Sequence, residues 1–278
     1  MKAFILVCAA ALCLSACAHS AALEPGARYV NLGSSFAAGA GTGAAPPGSP
    51  PRCYQSTVNY AHLLAARLNL ALDDVSCAGA TSANVLAPWR ELPAQIDAVT
   101  SDTRLVTITI GGNDIAYVGN LTAASCAPGE SIRVAGLTLP CPPPFAVTEE
   151  AYAGLERNLR EIARQVHERA PHARLVFIQY VTLVPDVQCP QSRFTETEAA
   201  ELRAVAARLF DITARAAAES GAQVLPMDEI SRHHTPCDAD PWSVGLPSDY
   251  QEAMGAPWHP NRRGMGVIAD RLAAMPAR

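Results

Sequence analysis

The run Leu-Val-Thr-Ile-Thr-Ile at 105–110, halted by Gly111-Gly112, constrains the fold more than any other stretch of the chain. Its β-branched side chains favour a pleated, buried strand, and the glycines stop it. Further short runs of the same kind lie at 28–32, 72–77, 174–180 and 223–227. Between them, apolar residues recur at helical spacing over 59–70 (Ala61, Leu64, Ala65, Leu68), 150–169 (Leu155, Leu159, Ile162, Val166), 195–220 and 264–275. Thr195 followed by Glu198 is a capping-box pattern at the start of the third of these. Shorter helical turns fit 82–86 and 93–99, the latter with Pro93 near its first turn. Strands alternating with helices predict a parallel sheet covered on both faces, with ligands bound outside the carboxyl ends of the strands. Residues 119–147, rich in proline and poor in periodicity, read as an insertion loop over that end. The glycine-rich stretch 39–43 runs into Pro46-Pro47 where a dinucleotide-binding helix would have to begin, so it reads as a flexible loop beside the site.

Composition removes several chemistries. The chain has 278 residues, 49% of them hydrophobic and 17% charged, which is ample for a core and unlike a disordered segment. Lys2 is the sole lysine, so P-loop, Schiff-base and Ser-Lys chemistries have no residue to use beyond the N-terminal segment. HExxH, GxSxG and paired CxxC are absent. One cation and an apolar stretch over 3–14 are too short to span a bilayer and fit an export signal. Leu14-Ser15-Ala16-Cys17 resembles the lipobox of bacterial lipoproteins. The expected organisation is therefore a signal peptide at 1–16, a lipidated Cys17, a linker over 17–27 and a single domain over 28–278. Two or more acyl chains would hold the protein stably on the membrane of the cell envelope.

Without residues 1–16 the balance is 20 basic against 26 acidic residues, a net charge of −6, which excludes an electrostatic footprint for nucleic acid. Six cysteines remain past Cys17, and an even count in an exported chain implies a disulfide framework. Of the 15 connectivities that six cysteines permit, pairing between sequence neighbours is expected: Cys53–Cys77, Cys126–Cys141 and Cys189–Cys237.

The run from Tyr29 breaks at Gly33 and delivers Ser34 and Ser35 at a strand end. Gly79, in Cys-Ala-Gly-Ala-Thr-Ser, and Asn113, in Gly-Gly-Asn-Asp, follow the second and third strands, and His259 stands in Trp-His-Pro-Asn before the last helix. With these four stretches the chain resembles the SGNH hydrolases, also called GDSL lipases and esterases, from Val30 to about Ala274. The resemblance implies a flavodoxin-like three-layer α/β/α sandwich with a five-stranded parallel sheet. It implies a serine esterase or lipase in which Ser35 is the nucleophile and His259 the general base. The Ser35 and Gly79 N–H groups and the Asn113 amide would form the oxyanion hole. The six cysteines resemble the secreted bacterial branch with three disulfides.

Physical chemistry agrees with these roles. A serine hydroxyl needs an adjacent base, histidine titrates near neutrality, and preorganised donors stabilise the tetrahedral intermediate. Two positions depart from the family pattern: Ser34 replaces the usual aspartate before the nucleophile, and Ala256 stands where the aspartate that orients the histidine should be. The expected substitute is a main-chain carbonyl, of Ala256 or a neighbour. His62 and His167 fall within helices, and His233-His234 lack a third metal ligand in sight. No metal or cofactor is expected, the partner is an ester or lipid substrate, and the protein is expected to be a monomer. The motifs leave open an O-acetyl esterase acting on envelope polysaccharide. The missing aspartate leaves open a catalytically degenerate envelope protein.

Overall fold

The computed structural model describes residues 23–127, 129–134 and 136–276. The expected signal peptide and Cys17 lie outside the described residues. In chain order the elements are β1 (Arg28–Gly33), α1 (Ser35–Ala38), α2 (Tyr60–Leu68), β2 (Ala71–Asp74), α3 (Ser82–Leu86), β3 (Thr103–Thr109), α4 (Tyr117–Ser125), β4 (Ser131–Val134) and β5 (Leu137–Pro140). They continue with α5 (Glu149–Arg169), β6 (Arg174–Ile178), α6 (Glu196–Ser220), β7 (Gln223–Leu225), α7 (Met227–Ile230) and α8 (Arg262–Ala274). Five strands form one parallel sheet in the order β2-β1-β3-β6-β7. Helices α2 and α8 pack together, and α5 packs against both α3 and α6, completing an α/β sandwich.

The central strands β1, β3 and β6 are buried along nearly their whole length. Val30 pairs with Val106, and Ile108 with Phe177. Such two-sided burial suits a parallel strand covered by helices. The edge strand β2 carries Asp73 and Asp74 instead. Asp74 accepts from Asn31 Nδ2 at 2.9 Å, Asn59 Nδ2 at 2.7 Å and Ser76 Oγ at 2.6 Å, so one carboxylate joins β1, β2 and the start of α2. Buried polar groups are tolerated when satisfied in this way. Asn59 caps α2 by accepting from the His62 N–H, and Thr195 with Glu198 forms the capping box that starts α6.

The structure corrects the reading of residues 119–147 as a plain loop. Helix α4 occupies its beginning, and β4 and β5 pair as an antiparallel hairpin within it. The helix escaped detection because it holds a glycine, lacks a side-chain cap and starts after Ala116 in a left-handed conformation. The hairpin escaped because its side chains are mostly exposed and β5 ends in Pro140, so no buried face imposes an alternating pattern. The turn expected at 93–99 is a single 3-10 turn, Gln95–Ala98.

The disulfides are Cys53–Cys77, Cys126–Cys141 and Cys189–Cys237, the expected pairing. Cys53 lies between α1 and α2, Cys77 between β2 and α3, Cys126 and Cys141 between α4 and α5, Cys189 between β6 and α6, and Cys237 between α7 and α8.

Candidate active site

The end of β1 turns sharply at Gly33. Its φ is +129°, and a Cβ there would stand 2.4 Å from the Thr109 carbonyl oxygen, so only glycine fits. Gln95 holds this turn from both sides: its Oε1 accepts from the Gly33 N–H at 2.7 Å and its Nε2 donates to the Gly33 carbonyl at 3.0 Å. The next two residues then diverge. Ser34 is buried, its N–H donates to the Thr109 carbonyl at 3.0 Å, and its Oγ lies 3.4 Å from the Tyr180 hydroxyl. Ser35 opens α1 and faces a cleft of about 600 Å³ that His259 also lines.

His259 Nε2 lies 2.7 Å from Ser35 Oγ. Its Nδ1 lies 2.7 Å from the Pro257 carbonyl oxygen. A carbonyl only accepts, so Nδ1 carries the proton and Nε2 is left free to accept from the serine hydroxyl. The orienting group is thus a main-chain carbonyl, but it is that of Pro257 and not of Ala256. Residues 256–259 form a turn centred on Pro257 and Trp258, in which the Ala256 carbonyl instead accepts the His259 main-chain N–H at 3.3 Å. Among the described residues neither ring nitrogen is hydrogen-bonded to a carboxylate, Asp249 included. Burial pushes the imidazole pKa down from its ordinary 6.5 to about 4, and the Pro257 carbonyl pulls it partway back.

The loop carrying His259 is fixed on all sides. Trp258 is fully buried in a left-handed conformation, φ +60°, and stacks on Phe194 with ring centroids 4.9 Å apart. The Trp258 N–H donates to the Val244 carbonyl at 2.8 Å, and the Val244 N–H to the His259 carbonyl at 2.9 Å. Asn261, of the His-Pro-Asn run, caps α8 by accepting the Gly264 N–H at 2.9 Å. Phe36 packs on the imidazole at 4.8 Å and on Tyr180 at 4.3 Å.

Gly79 lies in the turn after β2, at φ +84°, beside the Cys53–Cys77 disulfide, and the Ala78 N–H donates to the Cys53 carbonyl at 3.0 Å. Asn113 Nδ2 donates to the Ala80 carbonyl at 2.9 Å, tying the turn after β3 to the turn after β2. The Ser35 and Gly79 N–H groups have no protein acceptor among the described residues. Cleft-lining residues include Ser35, Ala78 and His259, with Gly79 adjoining Ala78. The stretch 39–43, expected to be flexible, is pinned: Arg262 Nε donates to the Thr42 carbonyl at 2.5 Å, and Ala40, Gly41 and Gly43 line the cleft.

Three residues that the sequence did not single out support these groups. Gln95 has no motif around it that would have announced its clamp. Tyr180, at the carboxyl end of β6, accepts the Gly112 N–H at 2.9 Å, and burial holds its phenol neutral by pushing its pKa up to about 12. Asp114 accepts from the Ser82 N–H and hydroxyl and so caps α3, and burial raises its carboxyl pKa against those two bonds. Its place directly after Asn113 was the available signal. His234 stacks on Trp242 at 3.6 Å, and its Nδ1 lies 2.8 Å from the Asp240 carbonyl oxygen. Among the described residues no group of three His, Cys, Asp or Glu side chains is placed to hold a metal ion.

Residues 32–267 match the sequence model of the GDSL-like Lipase/Acylhydrolase family. The chain belongs to that family. It is 33% identical over 265 residues to Lipase 2 of Streptomyces coelicolor, covering 92% of this chain and 88% of that protein. It is 29% identical over 270 residues to a lipase of Streptomyces rimosus, covering 95% of this chain and 91% of that protein. In fold it is similar to the crystal structure of phospholipase A1 from Streptomyces albidoflavus, with a TM-score of 0.69 and 24% identity over 89% of this chain and 98% of that one. The extracellular lipase of Streptomyces rimosus gives a TM-score of 0.66 and 24% identity over 89% and 99% of the two chains. This GDSL-family chain is accordingly a carboxylic ester hydrolase of the lipase and esterase class.

Proposed function

We propose that this hydrolase cleaves esters through an acyl-enzyme formed on Ser35. The observation that carries the reading is the 2.7 Å contact between Ser35 Oγ and His259 Nε2 at the cleft. As Ser35 Oγ attacks the ester carbonyl, its proton passes to Nε2. The Ser35 and Gly79 N–H groups and the second amide hydrogen of Asn113 receive the developing oxyanion, each donor contributing about 3 kcal/mol. His259 then returns the proton to the departing alcohol, and water bound at Nε2 repeats the sequence to release the acid. The Pro257 carbonyl keeps the tautomer right without adding a negative charge, so it orients the imidazole while stabilising its cation less than a carboxylate would. That contact supports a working Ser-His dyad over a degenerate site.

A fluorophosphonate probe tests this. Labelling should vanish in Ser35→Ala and persist in Ser34→Ala, and an unlabelled folded wild type would overturn the assignment. The three disulfides fit an exported protein. The Leu-Ser-Ala-Cys run ending at Cys17 further supports a lipid anchor. Cys17→Ser should move the protein from the membrane fraction to the soluble one, and unchanged fractionation would refute the anchor.

A further inference from the structure

Six large apolar side chains are exposed among the described residues, and three of them, Tyr54, Leu137 and Leu139, line the same cleft as Ser35 and His259. Leu137 and Leu139 are 59% and 43% exposed. They stand two residues apart on β5 and so share one face of the hairpin. Apolar surface held in water beside a nucleophile is surface that a hydrocarbon chain would cover at a gain of about 25 cal/mol per Å².

The hairpin is anchored at both ends. At its base, the Cys126–Cys141 disulfide closes it, the Cys141 N–H donates to the Glu130 carbonyl at 3.1 Å, and Arg193 pairs with the Glu130 carboxylate at 2.9 Å. At its tip, Glu252 Oε1 accepts the Gly136 N–H at 2.6 Å, and Arg133 Nε lies 3.4 Å from Glu252 Oε2. Glu252 lines the cleft and opens the turn Glu252–Met254 on the segment that leads to His259. The same stretch of chain therefore carries the base and grips the hairpin.

We propose that this hairpin is the specificity wall of the cleft: Leu137 and Leu139 cover the acyl chain of the ester, and Glu252 is the positioning residue that holds them opposite Ser35. The proposal rests on Ser35 being the nucleophile. A small acetyl group would not reach the wall, whereas a longer chain gains contact with each methylene. Burial of one methylene corresponds to roughly fourfold in kcat/KM, so the wall acts as a ruler for chain length.

The test is the octanoyl-to-acetyl ratio of kcat/KM on p-nitrophenyl esters. In the Leu137→Ser/Leu139→Ser double variant the ratio should fall about tenfold. Leu137→Ala/Leu139→Ala serves if the serine pair folds poorly. Val187→Ser, at an exposed apolar side chain outside the cleft, should leave the ratio as in the wild type. Glu252→Ala should lower the ratio chiefly by raising KM for octanoyl ester. Glu252→Gln, whose amide oxygen still accepts the Gly136 N–H, should restore most of it. A ratio unchanged in the double variant, or equal losses on both esters, overturns the proposal. Fluorophosphonate labelling of the same variants separates the two readings: labelling that persists beside an unchanged ratio sinks the wall alone, while a wild type that never labels sinks the nucleophile.

Discussion

The sharpest consequence of a histidine held by a carbonyl is its pH dependence. With no carboxylate on Nδ1, burial dominates and sets the His259 pKa near 4 instead of 6.5. A general base works only when neutral, so the acid limb of kcat/KM should follow the free-enzyme pKa of this ring. At about pH 5 a base of pKa 4 is roughly nine-tenths neutral, whereas one of pKa 6.5 is about 3% neutral. Because the ring borders an open cleft, water offsets part of the burial effect. Even an apparent pKa of about 5 would leave roughly half the activity at that pH. The assay is kcat/KM for p-nitrophenyl acetate across the acid range, stopped and read at alkaline pH. An acid limb at or above about 6.5 would refute the account, since the ring would then take up a proton as readily as a fully solvated histidine. The same ring should make the fold less stable in acid. The unfolded histidine takes up a proton below about 6.5 while the folded one resists until about 4, so stability is lost as pH falls through that window. Thermal melts of wild type and His259→Gln should diverge over the same range, with the variant declining less.

Gln95→Ala would strip Gly33 of both its hydrogen bonds to a side chain and leave a buried N–H unsatisfied. We expect a loss of about 2 kcal/mol in urea unfolding, and a fall in kcat that exceeds any change in KM. If kcat is untouched while stability falls, the clamp holds the fold and not the nucleophile turn. Replacing Cys53 and Cys77 with serine opens a loop with a sequence separation of 24 residues, worth about 3.5 kcal/mol by chain entropy. That variant should lose activity even where it remains folded, because the disulfide braces the turn that presents the Gly79 N–H; full activity would show that brace to be dispensable.

The sheet and the long helices were legible because burial writes itself into sequence as a period: β3 is apolar and β-branched where helices cover both faces, and α5 carries a stripe from Leu155 to Val166. The turns at Gly33, Gly79, Asn113 and His259 were legible as motifs, since few residue types permit a sharp turn beside a reactive group. What escaped obeys neither rule. The hairpin has no buried face, α4 has no cap, and Gln95 acts through two hydrogen bonds made across a sequence separation of 62. The identity of the orienting carbonyl escaped for another reason: Pro257 and Ala256 each offer one, and only the path of the chain decides which faces the ring.

The placement of the three disulfides separates the protein into a scaffold and a fitting. None of them crosses the sheet. One braces the turn bearing Gly79, one closes the hairpin, and one joins the two segments between which the His259 loop is packed. Reduction therefore removes no strand pairing directly, and its first effect is on the loops at the cleft end of the sheet. During oxidative refolding, far-ultraviolet ellipticity should recover before esterase activity does. Activity that returned with ellipticity, before the disulfides re-formed, would show the tethers to be dispensable for the site.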